Sequence, residues 1–592
     1  MYLSNIKLWN FRQFGNSDEA LNLDEPSLDL SFKEGMNVLV GENDSGKTAI
    51  IDAIRIVLKT QDYEWYRIKN EDFYNDSKRF RIELKFDNLS DNEAKNFIEW
   101  LSVNNSGDTE KNNFYLRVIY DVRRDEKRIF LSDVCAGADE NGSPLPSEAR
   151  EYLKVTYLKP LRDAENELTP GRYSRLSSIL FSSDVFNGDT QTSLEQNLNK
   201  FNEFVEHFFS DNNEEGYKIK TIIDEYLVKF LDKDNCSEFN FSNKDIKTIL
   251  SKLELRIKSI TNPGLGSLNR LYMAAELLNI KRGGWDGVRL CLIEELEAHL
   301  HPQAQMKVIE CLCETCNDNK IQFILTTHSP NLASKINLEN LIMCSNSKCY
   351  SFDKKYTRLN EEDYVFLQKF LDTTKANLFF AKGIIFVEGW SEQIFLPTFA
   401  DFLKRKGIIN KTLTEAGVSI INVAGVAFLR YVKIFHRKDN LEIGIPISIV
   451  TDSDVAPYDY DKDSKSVENR SQNEIEKKLN EVSNRKQKEY NYKGTIKTFI
   501  TDYWTFEYAL YKSEIFSERF KEIVLNIHKD ILFSDFEKKF VEKLFNHSLD
   551  KTRIAYDFAL ELGSFEEKIN KEKIENDKAI SYLVEAIKFV CK

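Results

Sequence analysis

The sequence predicts an α/β chain of two domains, and three observations carry that prediction. A glycine- and lysine-bearing loop joins an apolar strand to a helix in MNVLVGENDSGKTAIIDAIRIVL. A second apolar strand ends in paired acids at LCLIEE. From residue 378 the pattern of strand, acid and helix starts afresh at LFFAKGIIFVEGWSEQIFLP. At 592 residues the chain is also too long for one core.

Composition sets outer limits. Hydrophobic residues at 42% and charged residues at 30% describe an ordinary soluble protein. No apolar run reaches the length of a membrane span, and MYLSNIKLWNFRQF lacks a signal peptide's apolar centre, so a cytoplasmic protein is expected. Nine cysteines are thinly spread, and Cys311, Cys313 and Cys316 fall in a stretch that reads as one helix. They are expected to be small core residues with reduced thiols rather than metal ligands. A net charge of −13 excludes a protein coated in basic surface, leaves room for local basic patches, and suits an enzyme that gathers carboxylates.

The first strand, loop and helix come in the order that a phosphate cradle requires. Gly41 to Thr48 matches G-x-x-x-x-G-K-[ST] between Val38-Leu39-Val40 and a helix with Ile50, Ile51, Ile54, Val57 and Leu58 on one face. Glycines such as Gly46 let backbone N–H groups, including that of Asn43, turn inward around phosphate, and the helix start adds partial positive charge. Lys47 is expected to reach the β- and γ-phosphates of ATP, and Thr48 to ligate Mg²⁺. Such a site needs acids at a neighbouring strand end, and VRLCLIEELEAHLHP supplies Glu294 and Glu295. Glu294 would hold Mg²⁺ through water and Glu295 would polarise the attacking water; the alternative is an acidic helix face. Further on, IQFILTTHSP is another buried strand, ending in Thr326, Thr327 and His328, and His328 is placed to sense a γ-phosphate. Gly264, Gly266 and Ser267 open a helical run in TNPGLGSLNRLYMAAELLNI, a second anion-binding helix start that one nucleotide does not need from one subunit. Residues 175–258 read as inserted helices with apolar faces and no basic run, expected to pair two subunits rather than touch DNA.

The motif order of this half resembles ABC-type ATPases of the RecF and SMC kind: NFRQF with Arg12, the P-loop, a Gly-Ser signature, LIEE, EAHLHP and TTHSP. That resemblance implies an ABC-type ATPase domain over about 1–375 and a homodimer in which one subunit's signature loop caps the other's ATP. It also implies Arg12 near the nucleotide and the EAHLHP turn facing the partner. The chain departs from the wider pattern in reading GLGSLN for LSGGQ and Glu294 for the usual Asp.

The second half alternates strands and helices, as in a mainly parallel sheet, whose ligands sit at the strands' carboxyl ends. Gly383–Val387 runs into Glu388, and a helix beginning after Gly389 would place Glu392 in its first turn. GVSIINVAGVAFLRYVKIF adds a strand, a turn at Gly425 and a helix; IGIPISIVTDSD then ends in Asp452 and Asp454, expected to converge on one side. Four such carboxylates repel one another unless cations lie among them, and hard oxygen ligands suit Mg²⁺ or Mn²⁺.

VEGWSE followed by DSD resembles the Toprim pattern, and an ABC ATPase followed by Toprim resembles the overcoming-lysogenisation-defect (OLD) family of nucleases. That family includes the nuclease subunit of Gabija-type anti-phage systems and effectors linked to retrons. YLKPLRDAENELTPGRYSRL at 157–176 adds to the likeness. The resemblance implies a Toprim domain over 376–592 and two-metal cleavage of DNA, with Glu388, Glu392, Asp452, Asp454 and Glu507 holding the metals. It also implies a late lysine, but LGSFEEKI has Leu562 where lysine is common, leaving Lys568, Lys573, Lys578 or Lys588 to substitute. The leading expectation is an ATP-regulated endonuclease of anti-phage defence, a dimer or dimer of dimers, with a companion defence protein or retron nucleic acid as further partner. The alternative is an ATP-switched DNA clamp or scaffold with an inert acid cluster. The charged stretch 458–494 reads either as a DNA-backbone contact or as a solvated helix.

Overall fold

The computed structural model describes the chain except residues 17–20, 62–65, 105–112, 161–166, 172–173, 184–188, 213, 232–236, 238, 240–245, 259, 261, 282–284, 426–427, 440, 462–465, 564–568 and 592. Parts of the 157–176 and 175–258 stretches, and Lys568, therefore lie outside the described residues. The chain divides into two compact units, residues 1–37 with 48–326 and residues 38–47 with 327–592.

In the first unit an antiparallel sheet is built on Tyr2–Trp9, which pairs with Leu28–Ser31 on one side and Arg79–Asp87 on the other. Arg79–Asp87 pairs in turn with the long strand Asn113–Arg124. Alternation, with a register shift between Leu3 and Asn5, makes one face: Leu3, Ile6 and Leu8 are fully buried from the first strand, and Phe80, Ile82, Leu84 and Phe86 from its neighbour. Three shorter strands, Thr156–Leu158, Leu290–Ile293 and Gln322–Thr327, pair in parallel and are buried on both faces, hence runs such as Leu290–Ile293 and Phe323–Leu325 that do not alternate with polar residues. The helix Lys47–Leu58 buries Ile50, Ile51, Ile54, Val57 and Leu58, as its periodicity predicts. The inserted stretch forms helices Arg175–Phe181, Asp189–Ser210, Glu215–Leu231 and Ile246–Leu250.

In the second unit Val38–Val40 lies parallel to Leu341–Met343, and Leu341–Ser345 continues as a hairpin with Lys348–Ser351. Beyond it stands a four-stranded parallel sheet in the order Val418–Asn422, Gly383–Val387, Ile447–Thr451, Ile496–Ile500. Phenylalanines knit the helices over it: Phe395 stacks on Phe399 at 5.1 Å and meets Phe506 and Phe558 edge-on or tilted at 5.4 and 5.7 Å. The final helix, Ser581–Val590, is fixed to the sheet by Ser448 Oγ, which donates to the Ala586 carbonyl at 2.8 Å.

The cysteine expectation holds only in part. The helix Pro302–Asn319 contains all three residues, but Cys316 alone is in the core, while Cys313 is half-buried and Cys311 exposed, because a helix cannot turn positions 311, 313 and 316 to one face. No helix of the described residues is long and apolar enough to cross a membrane.

Candidate functional site

The glycine-lysine loop closes on itself. Gly41 has φ 140°, and a side chain there would meet the Cys344 carbonyl oxygen at 2.2 Å, so only glycine fits. Gly46 is left-handed too, at φ 103°. Lys47 is buried, its Nζ donating to the carbonyls of Gly41 at 2.9 Å and of Glu42, and lying 3.1 Å from Ser45 Oγ. Asn43 and Thr48 are exposed, as residues that meet a ligand from solvent must be.

In the first unit Glu294 stands at the end of Leu290–Ile293 and is buried. Thr48 Oγ1 donates to one carboxylate oxygen at 3.4 Å and Tyr157 OH to the other at 3.2 Å. Burial, and then the charge of Asp52, push the Glu294 carboxyl up to about 7. Glu295 is half-buried and left-handed at φ 44°, and its N–H donates to Thr326 Oγ1 at 3.1 Å, so the strand ends in a turn rather than running on as an acidic helix. Arg12 is tied to protein acids: its guanidinium lies 2.9 Å from Asp52, donates to Asp72 at 3.1 Å and to Tyr66 OH at 2.7 Å. Asp52 sits one helical turn beyond Thr48, which places Arg12 behind the loop's helix.

The signature helix runs Leu265–Ile280 with Gly264 as its cap. A side chain at Gly266 would meet the His299 carbonyl at 2.4 Å, and Asn269 Nδ2 donates to the Ala298 carbonyl at 3.4 Å. The signature and the EAHLHP turn are therefore packed backbone to backbone within one chain. Ser267 Oγ accepts from Arg270 at 3.1 Å. His328, in the second unit, is half-buried just past the strand end, where Ser329 N–H donates to Thr327 Oγ1 at 3.0 Å.

The second unit gathers the other acids at the carboxyl ends of neighbouring parallel strands. Glu388 follows Gly383–Val387 and accepts from Thr451 Oγ1 and from the Asp452 N–H at 3.2 Å. The next helix starts at Trp390, so Glu392 is in its first turn and buried. Asp452 follows Ile447–Thr451 and is 9% exposed; Glu507, in the first turn of Phe506–Lys512, is 2% exposed. Burial raises the carboxyl pKa of Glu388, Glu392 and Asp452, and neighbouring acids raise each further, Glu392 reaching about 7 with Glu507 its strongest like charge.

Two expectations need correcting here. Asp452 and Asp454 do not share one environment: the backbone turns left-handed at Asp454, φ 59°, and its side chain is 69% exposed, 3.8 Å from Lys486. Nor does Lys588 supply the cation, and Lys568 lies outside the described residues. Lys588 is paired with Glu585 at 3.1 Å and Glu575 at 3.8 Å. Among the described residues the lysine in the cluster is Lys551, whose Nζ lies 2.9 Å from Glu507 Oε2. Burial alone would lower its pKa, but Glu507, Asp452 and Glu392 together raise it. A second lysine, Lys486 on the helix Gln472–Tyr490, donates to Thr451 Oγ1 at 2.9 Å and to the Asp452 carbonyl at 2.7 Å. The charged stretch thus lends one residue to the cluster's edge.

The donor set suits a hard divalent cation in kind: carboxylate oxygens, held in a dry place, whose pKa values are raised by one another. Among the described residues no group of three or more His, Cys, Asp or Glu is already set to hold a metal ion.

Residues 36–334 match the family described as AAA domain, putative AbiEii toxin, type IV TA system, and residues 379–454 match the overcoming lysogenization defect protein-like TOPRIM domain. The chain is 22% identical to endonuclease GajA of Bacillus cereus (strain HuB5-5), over 95% of this chain and 96% of that protein. It is 24% identical to the OLD nuclease of Thermus scotoductus, over 76% of this chain and 83% of that one. A stretch covering 12% of each chain is 38% identical to the retron Ec83 probable ATPase of Escherichia coli.

Proposed function

The chain belongs to the AAA-domain family, with an OLD-like Toprim domain following, and on that footing we propose that it is an ATP-regulated, divalent-metal-dependent DNA endonuclease of anti-phage defence. The observation that carries the reading is the buried cluster of Glu388, Glu392, Asp452 and Glu507, with Lys551 as its cation. Like charges so confined are stable together when cations lie among them. Curated relatives that match most of this chain carry the names endonuclease GajA and OLD nuclease.

In this reading Glu388, Glu392, Asp452, Asp454 and Glu507 hold Mg²⁺ or Mn²⁺, which supplies an activated water and charge stabilisation when bound. Glu388, Asp452 and Asp454 serve the cut directly. Lys551 orients Glu507 and offsets the charge of the cluster. Burial beneath phenylalanine-rich helices keeps the local dielectric low, so each of these charges acts strongly on a phosphate. Arg12, Asn43, Gly46, Lys47 and Thr48 bind ATP with Mg²⁺, Glu294 aids the metal, Glu295 and His328 serve hydrolysis, and Gly266 with Ser267 caps a second subunit's nucleotide. The functional division is an ATPase domain over 1–375 and a Toprim domain over 376–592.

The helices within 175–258 pair subunits in a homodimer or dimer of dimers. Phe201, Phe204, Ile219, Ile222 and Tyr226 of that insertion are exposed, which supports a covered face. The protein acts in the cytoplasm, with a companion defence protein or retron nucleic acid as further partner. A clamp or scaffold with an inert Toprim domain is the second reading, favoured by the net charge of −13 and by Leu562 standing where a lysine is common.

Plasmid nicking with Mg²⁺ or Mn²⁺, with and without ATP, separates the two. Cutting by wild type and none by Asp452→Ala supports the nuclease. ATP hydrolysis without any cutting, in the presence of the companion protein, supports the clamp.

A further inference from the structure

In a chain of net charge −13, one cavity of about 1320 Å³ in the first unit is lined by seven Arg and Lys against three Asp and Glu. Separate stretches of chain bring the cations together. Lys59 follows the helix Lys47–Leu58, and Arg67 comes from the next segment. Lys127 and Arg128 come from the turn between strands Asn113–Arg124 and Ile129–Leu131, and Arg150 from the helix Ser147–Glu151. Among the described residues none of these five forms a salt bridge, although Glu151 acts on Lys59 from further off and Glu126 and Asp133 also line the cavity. Asp125, which also lines the cavity, accepts from the N–H groups of Lys127 and Arg128 at 2.8 and 2.7 Å, so its role is to shape that turn. The other two cations are engaged: Lys154 pairs with Glu151 at 2.8 Å, and Arg55 with Asp52 at 2.6 Å.

We infer that this cavity binds the backbone phosphates of a nucleic-acid strand, an inference that rests on the DNA-nuclease reading and adds a second contact surface to it. Unpaired cations at a surface normally turn away from each other into water; here they converge on one hollow. Partial burial and the charges of Arg150 and Lys154, offset only in part by Glu151, push the Lys59 ammonium below the usual lysine range, and a bound polyanion would relieve that repulsion. The volume exceeds the roughly 300–1,000 Å³ of small-molecule sites. Cations spread over several chain segments match a ligand with repeated charges better than one with a single phosphate group. The contacts would be sequence-independent, since they reach phosphate rather than base edges.

The test is equilibrium binding of a short labelled DNA duplex and single strand, followed by anisotropy in EDTA so that no cut occurs. The protein is the full chain carrying Arg67→Ala, Lys127→Ala and Arg128→Ala together. Binding is expected to weaken about tenfold or more near 0.1 M salt, and the slope of log affinity against log salt to become shallower by roughly 2 to 3. A matched triple variant in the second unit, Lys529→Ala, Lys538→Ala and Lys571→Ala, controls for net charge. Retained ATP hydrolysis shows that the fold is intact, and the single charge reversal Arg67→Glu repeats the test with one substitution. Unchanged affinity and slope overturn the inference. So does an unchanged duplex affinity with lost competition by free ATP, which makes the cavity a nucleotide site. If wild type never cuts but the triple variant still loses DNA, the cavity stands and the nuclease reading falls.

Discussion

Each compact unit ends a parallel strand in a buried carboxylate, and the two are kept in different company. Glu294 is met by neutral donors, Tyr157 OH and Thr48 Oγ1, one on each oxygen. Asp452 is met chiefly by other acids, Glu392, Glu388 and Glu507, with Lys551 as the counter-charge. An acid whose two oxygens are each held by a hydroxyl is suited to accept or lend one proton. A crowd of acids with too few cations is suited to recruit metal ions. The same backbone device thus suits two chemistries, and the neighbours decide which.

The sharpest break of that comparison comes from disabling each place in turn. Asp452→Asn should lower DNA cleavage by about a thousandfold or more, several kcal/mol of barrier, while ATP hydrolysis persists. Lys47→Ala should abolish ATP hydrolysis while Mg²⁺ or Mn²⁺ binding to the Toprim unit, read by calorimetry, is unaltered. Normal cutting by Asp452→Asn would remove this cluster from the chemistry.

Next in size is the lysine. Lys551→Met should lower cleavage roughly a hundredfold at saturating metal, the cost of losing one preorganised charge, while Lys588→Met changes nothing. The pH–rate profile should shift as well, because Glu507 loses its ammonium partner and the charge of Lys551 no longer acts on Asp452 and Glu392. Equal loss in both variants would return the role to the C-terminal helix.

These contrasts mark what was legible in the sequence. The glycine-lysine loop, the strand ending in Glu294 and the helix start at Trp390 could be read because each is a local pattern: period, glycine, then acid. Lys551 could not. It stands 44 positions after its partner Glu507, on a helix with an ordinary surface-like pattern, and only the packing of Lys551–Glu561 against the first Toprim helix brings it inward. Asp454 departs from Asp452 for a related reason. Alternation along a strand predicts that residues two apart share a side, but the strand ends at Thr451 and a left-handed residue breaks the alternation. The basic cavity was invisible because its cations are scattered from position 59 to position 150 in an acidic chain.

The comparison also has a pH signature. Glu392 has a folded-state pKa raised to about 7, so its protonated form is favoured by folding. Stability from this group is full below the unfolded value near 4.5 and is lost as pH rises through about 7. Metal-free protein should therefore lose on the order of 3 kcal/mol between about pH 5 and 8, with added Mg²⁺ restoring it. Glu392→Gln should flatten that slope, and so should Glu294→Gln, whose carboxyl is also raised to about 7. Only the Glu392 contribution should depend on the Toprim metal. A melting series against pH, with and without Mg²⁺, checks this, and an Mg²⁺ effect that survives Asp452→Asn unchanged would contradict it.

The smallest expected effect tests how firmly the first unit is built. Gly266 has no left-handed backbone to require glycine; it is glycine because the His299 carbonyl stands 2.4 Å from where a Cβ would be. Gly266→Ala must push the signature helix and the EAHLHP turn apart, and a backbone oxygen cannot rotate away as a side chain would. The cost should be about 1–3 kcal/mol of stability, read by urea unfolding, as for other overpacked contacts. ATP hydrolysis should fall with it if the turn's position matters to the partner's nucleotide, whereas cutting by a metal-loaded Toprim unit should change less. Gly264→Ala, with open space around its Cβ position, should do almost nothing, and an equal loss from both would show that chain flexibility rather than the His299 contact sets the requirement.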